Sequence, residues 1–159
     1  CKNVGAEIAI DTSGAALKQI VETGLISLVK PNVIELGHLF GKEIPDNTEK
    51  IIDIGQKLLE KVETVLITRG RNGAIAICEG RVWTAKPANS LKDDVVSTVA
   101  CGDYFLAGFV RELSVREDTP GCLETAIKAA TAKALALNER MGWLPASERI
   151  AVNIEKKRL

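Results

Sequence analysis

Asp103 is the one carboxylate in STVACGDYFLAG, residues Ser97 to Gly108. It stands directly after the small residues Ala100, Cys101 and Gly102 and directly before an apolar, helix-like run from Tyr104 to Val110. A helix start leaves backbone N–H groups unpaired, and the helix dipole adds roughly half a positive charge there, so such a turn attracts a phosphate oxygen or a developing negative charge. A carboxylate at this spot has two uses. It is a cap or first-turn acid, stabilising by about 1 kcal/mol, or it is a general base that takes a proton from a hydroxyl attacking a phosphate held by those N–H groups.

Two further stretches have residue types that suit the same chemistry. TRGRNGA, Thr68 to Ala74, has Gly70 and Gly73 three apart, and such a loop lets backbone approach a ligand closely and turn N–H groups toward a phosphate. The other use of those glycines is a tight turn between two strands. The stretch matches neither G-x-x-x-x-G-K-[ST] nor G-x-G-x-x-G. KPNVIE, Lys30 to Glu35, puts Asn32 and Glu35 on one face of a helical turn. A Mg²⁺ ion, which keeps most of its waters, is satisfied by one such carboxylate plus substrate phosphates; the alternative is a capping box in which Glu35 supports the first turn.

The elements that must hold these residues follow from periodicity. Ala6–Ile10, Ile26–Val29 and Thr64–Thr68 read as strands, separated by helices over 15–22, from Pro31 through Leu39 and Phe40, and over 48–61. Strand, helix, strand in this order predicts an α/β fold with a mostly parallel sheet flanked by helices. Ala74–Cys78 and Arg81–Ala85, joined across Glu79-Gly80, predict an appended β-hairpin. A strand over 94–98, helices over 103–113 and 122–140, a stop at Gly142 and a closing strand over 150–154 complete the expected order. All three candidate stretches then lie at the C-terminal ends of strands, the edge where α/β sheets bind ligands.

Composition narrows the partners. The 159 residues suit one domain, 46% of them are hydrophobic, and 21 basic residues balance 21 acidic ones, so no excess positive charge favours nucleic acid or an anionic membrane. No run approaches the roughly 20 apolar residues of a membrane span, and no signal-peptide pattern opens the chain, so a cytoplasmic location and a small partner are expected. Cys1, Cys78, Cys101 and Cys122 are scattered and His38 is the single histidine, which argues against structural zinc and for reduced thiols. The chain opens on Cys with a strand-like run close behind, so it is expected to be a piece of something longer.

Taken in order, DTSG (Asp11 to Gly14), LVKPNVIEL, VLITRGRNGA and VVSTVACGDYFLAGF resemble the C-terminal half of the ribokinase-like (PfkB) carbohydrate kinases, from Ile8 to about Met141. They look most like the phosphosugar branch, which includes 1-phosphofructokinase and tagatose-6-phosphate kinase. The resemblance implies a ribokinase-like fold whose N-terminal half and lid are absent, so that residues 1–159 are the nucleotide-binding and catalytic-base portion and turn over no sugar alone. It implies ATP and Mg²⁺ as cofactors, a sugar or sugar phosphate as the small-molecule substrate, and a homodimer formed through the lid.

By the same resemblance, Asp103 is the catalytic base, and the N–H groups of Ala100, Cys101, Gly102 and Asp103 form the anion hole. Lys30, Asn32, Thr68, Arg69, Gly70, Arg71, Asn72 and Gly73, with Gly102, bind the nucleotide, and Glu35 holds Mg²⁺ through water. This chain departs from the family pattern at Ala100 (usually Gly), Cys101 (usually Ala) and Tyr104 (usually small). Ala100 is expected to strain a turn that favours φ > 0. Cys101 reads as a packing substitute or, at a helix N-terminus, as a redox-sensitive thiol; the Tyr104 ring either narrows the sugar pocket or turns into the core. A non-catalytic nucleotide-binding or interaction module, and a ribose or nucleoside kinase, are the competing functions.

Overall fold

A computed structural model describes residues 5–89, 95–115 and 118–157. In chain order the elements are β1 (Ala9–Ile10), α1 (Gly14–Glu22), β2 (Leu28–Val29), α2 (Val33–Leu39), α3 (Thr48–Gly55), β3 (Thr64–Thr68), β4 (Ala74–Cys78), β5 (Arg81–Pro87), α4 (Cys101–Leu113), α5 (Thr119–Ala134), α6 (Leu137–Met141), α7 (Trp143–Glu148) and β6 (Val152–Lys157). The strands follow one another in the sheet in sequence order, β1 to β6. β1–β2 and β2–β3 pair in parallel, whereas β4 and β5 form the expected hairpin across Glu79 and Gly80, both at positive φ, so the sheet is mixed.

By contacts the chain divides into two compact units: Cys1–Arg69 with Ile75–Trp83 and Lys156–Leu159, and Gly70–Ala74 with Thr84–Glu155. In the first unit, Val29, Val65 and Ile67 of the sheet and Leu17, Leu36 and Ile51 of the helices are buried in one apolar cluster. β3 forms because its central Val65, Leu66 and Ile67 are bulky, apolar and fully buried. Asn32 caps α2, so Pro31 precedes the helix instead of opening it. The helix expected over 48–61 tightens to a 3₁₀ turn at Gln56–Glu60.

In the second unit, α4 lies against α5 along a seam of small residues. A Cβ on Gly108 would meet the Ala129 Cβ and the Thr125 carbonyl at 3.0 Å, so only glycine lets the two helices approach this closely. Phe105 and Phe109 of α4 and Leu123 and Ala126 of α5 are buried. Ala132, Ala146 and Ile150 form a smaller cluster with Leu137, Met141 and Val152 packed on it.

Several expected boundaries move. The strand over 94–98 does not form at Val95–Thr98, and Asp94 lies outside the described residues. The N–H groups of Val96 and Ser97 both donate to the Ala134 carbonyl, at 2.8 and 3.3 Å, so these donors serve the end of α5 and no strand ladder. The helix expected over 122–140 is two helices, broken at Ala136, whose φ of 52° is left-handed. α4 starts at Cys101 instead of Asp103, α7 follows Gly142 unforeseen, and the closing strand is displaced to Val152–Lys157.

Candidate active site

The two units contribute separate groups of candidate residues. In the first, β2 and β3 bring two of the motifs side by side at their C-terminal ends. The Thr68 N–H donates to the Pro31 carbonyl at 3.1 Å, and Asn32, beyond the end of β2, pairs with Thr68, the last residue of β3, in a parallel bridge. Asn32 and Glu35 form a full capping box: the Asn32 N–H donates to Glu35 Oε2 at 2.8 Å, and the Glu35 N–H donates to Asn32 Oδ1 at 2.9 Å. Glu35 Oε1 has no partner among the described residues, so this carboxylate retains one oxygen that could face a hydrated cation. No group of three or more His, Cys, Asp or Glu able to hold a metal occurs among the described residues.

Lys30 and Arg69 are engaged within the same unit. Lys30 is buried, and its Nζ lies 3.0 Å from Asp11 Oδ2, which ties the DTSG stretch to the end of β2. Burying an ammonium is tolerable only with such a partner. Arg69 donates from Nε to Asp46 Oδ1 at 2.7 Å and from Nη1 to Thr48 Oγ1 at 3.0 Å, which fixes β3's end against the start of α3. Periodicity did not reveal these acceptors, because Asp46 and Thr48 are more than 20 residues away from Arg69 in sequence.

In the second unit, Gly70–Asn72 form a 3₁₀ turn closed by the Gly73 N–H donating to the Gly70 carbonyl at 3.1 Å. Gly73 has φ of 81°, and a Cβ there would lie 1.9 Å from the Ala85 carbonyl oxygen. The glycine is required by close approach to β5, independently of any ligand. Gly70 has open space around it, and Arg71 and Asn72 are exposed.

The start of α4 has a different character. Ala100 is its N-cap residue, with φ 63° and ψ 4°, and no side chain caps the helix. The strain expected at Ala100 is therefore present, in the left-handed region that an L side chain seldom adopts. The Cys101 N–H donates to the Thr98 carbonyl at 3.3 Å, and Tyr104 N–H to the Ala100 carbonyl at 3.0 Å. Between them, the N–H groups of Gly102 and Asp103 donate to no described residue. The exposed Asp103 carboxylate, three residues into the helix, makes no hydrogen bond or ion pair to any described residue. It is not acting as a side-chain cap. A pair of free donors beside a free carboxylate can take up a phosphate oxygen and a proton, respectively.

The neighbours of this turn belong to α5 and α6. The Tyr104 hydroxyl accepts from Asn138 Nδ2 at 3.2 Å, and Lys133 Nζ lies 6.0 Å from the centre of the Tyr104 ring, so Tyr104 turns toward those helices. Burial pushes the Cys101 thiol up, against the pull of Lys133, and its Sγ lies 3.6 Å from the Ser97 carbonyl oxygen. A raised thiol suits the packing reading of Cys101 better than the redox-sensing one. Lys133 and Asn138 carried no signal in the sequence, since nothing local ties them to Tyr104.

The family model "pfkB family carbohydrate kinase" matches residues 1–142. The chain is 36% identical over 83% of its length to the 1-phosphofructokinase of Borreliella burgdorferi, covering 42% of that protein. To the 1-phosphofructokinase of Bacillus subtilis it is 31% identical over its whole length, covering 50% of the relative. Its backbone superposes on the tetrameric inhibited form of phosphofructokinase-2 from Escherichia coli with a TM-score of 0.82 over 94% of this chain and 47% of that one; at 22% identity this match speaks to the fold alone. The chain thus spans about half the length of the curated relatives it matches. Among the described residues, no helix is long and apolar enough to cross a membrane.

Proposed function

The chain belongs to the pfkB family of carbohydrate kinases, and on that premise we propose that it is the C-terminal, nucleotide-binding and catalytic-base portion of an ATP-dependent kinase acting on a hydroxyl of a sugar phosphate. The observation that carries this reading is the start of α4, where a carboxylate without a partner stands beside two unclaimed N–H groups. Two relatives named 1-phosphofructokinase support the phosphosugar branch as the substrate class.

In this reading Asp103 accepts the proton of the sugar hydroxyl while that oxygen bonds to the terminal phosphorus of ATP and the bond to the bridging oxygen breaks, its electron pair leaving with ADP. The N–H groups of Gly102 and Asp103 donate to the oxygens of the group in transfer, where charge builds up. Phosphoryl transfer asks for positioning and charge neutralisation more than covalent chemistry, and donors fixed at a helix start supply both without reorganisation. Ala100 and Cys101 shape the turn that presents those donors. In the first unit, we assign Lys30, Asn32, Thr68 and Arg69 to nucleotide binding, with Lys30 and Arg69 acting from the fixed positions set by Asp11 and Asp46. The turn from Gly70 to Gly73 contributes backbone, and Glu35 is the residue suited to hold Mg²⁺ through water. When bound, that ion neutralises phosphate charge.

The test is Asp103→Asn in the full-length kinase. Loss of the base lowers kcat by about 10² to 10⁴, while ATP binding, measured by calorimetry, stays within a few-fold of the parent. Turnover that survives the change refutes Asp103 as the base.

A further inference from the structure

Lys133 lies in the last turn of α5 and places its ammonium 6.0 Å from the centre of the aromatic ring that follows Asp103. Its ammonium is held by Glu139 at 2.7 Å, and its side chain is only 19% exposed whereas that of Glu139 is 59% exposed. The two charges are thus unequally screened: water damps the field of the carboxylate more than that of the ammonium. Asn138, one residue before Glu139, donates to the Tyr104 hydroxyl at 3.2 Å and fixes the ring beneath the ammonium. The end of α5 is also the negative end of that helix, where a cation is stable.

We propose that Lys133 is a positioning residue for the α4 turn: from 6.0 Å above the Tyr104 ring it supplies fixed positive charge to the first turn of α4 and strengthens its hold on an anionic phosphate group. The inference rests on reading that turn as the phosphate cradle. Lys133 needs no contact with the phosphate; it acts through the potential at Cys101, Gly102 and Asp103, adding to what the helix dipole already provides. Glu139 holds the lysine above its ordinary value mainly through their hydrogen bond. Lys133 is also the charged group coupled to the Cys101 thiol, which makes that thiol a reporter of the local potential.

The experiment follows alkylation of Cys101 by iodoacetamide across pH in the full-length protein, resolved by peptide mass spectrometry, with buried Cys78 and Cys122 as slow internal references. Lys133→Met, which keeps the apolar stem, moves the Cys101 midpoint up by roughly half a pH unit, about a three-fold slower reaction below it. Lys133→Arg restores the parent midpoint, and Glu139→Gln, a surface change that leaves the fold intact, moves it down. Inorganic phosphate, matched in ionic strength with chloride, protects Cys101, and the half-protecting concentration rises about three-fold in Lys133→Met. An unmoved midpoint, equal shifts in the Met and Arg variants, or unchanged phosphate protection overturns the proposal. Full turnover by Asp103→Asn would unseat the kinase base while leaving the Cys101 readouts as they are, so the two readings fail separately.

Discussion

Replacing Ala100 by glycine should make the protein more stable, although it removes a methyl group. Ala100 holds φ 63° and ψ 4° at the start of α4. For an L residue that conformation costs about 1 to 2 kcal/mol, and glycine is free of most of it. Glycine also gives the unfolded chain more freedom, which returns about 0.4 to 1 kcal/mol. The difference leaves a net gain of about 0.5 to 1 kcal/mol, or about 1 to 4 °C in Tm for a chain of this size. Urea unfolding of the parent and of Ala100→Gly, extrapolated linearly to water, measures it. Ala136, with φ 52° at the break between α5 and α6, provides the matched control, since the same reasoning requires the same sign there. A loss of more than about 0.5 kcal/mol in Ala100→Gly would mean that methyl packing, and not backbone strain, decides the stability of this turn.

Gly73→Ala should be severe, costing about 3 kcal/mol or more, because its Cβ would lie 1.9 Å from the Ala85 carbonyl oxygen and 2.8 Å from the Lys86 Cα at a φ of 81°; urea unfolding at parental stability would show that β5 can move aside. Glu35→Gln separates two uses of one residue. Glutamine also completes a capping box, so stability should stay within about 0.5 kcal/mol while the Mg²⁺ concentration for half-maximal turnover rises about ten-fold. An unchanged Mg²⁺ requirement would leave Glu35 with its capping role alone.

Much of the local structure was legible because it depends on neighbours in sequence. Asn32 and Glu35, three apart, announced a capping box and form one. The Val-Leu-Ile centre of β3 and the Glu79-Gly80 turn are equally local signals. What stayed hidden depends on contacts between distant residues. Val95 to Thr98 has the β-branched look of a strand, yet its Val96 and Ser97 donors are taken by the Ala134 carbonyl at the end of α5, and no window of sequence contains both partners. The pattern over 122–140 is continuously helical, and only the left-handed Ala136 shows where it breaks. At the candidate site the positions of Asp103 and Tyr104 were readable, while the freedom of Asp103 from capping, and the approach of Lys133 and Asn138 to Tyr104, were not.

The manner in which this chain starts its helices bears on what the α4 turn is for. α2, α3 and α5 each begin with an Asn or Asp whose side chain accepts from the backbone of the first turn. Such caps stabilise by about 1 kcal/mol each, and they occupy donors that would otherwise be open to a ligand. α4 is the longest of these helices but α5, yet, like the short α6, it begins on an alanine in a strained conformation with no side-chain cap. Its acidic residue sits two positions after the turn's first helical residue, where it leaves the donors of Gly102 and Asp103 open. A fold selected for stability alone would place the carboxylate at the cap and a glycine at the left-handed position. Keeping the donors open and the carboxylate free costs stability at this turn, and the kinase reading gives that cost a purpose: an anion docks where a cap would have been, within reach of a base that nothing else in the described chain engages.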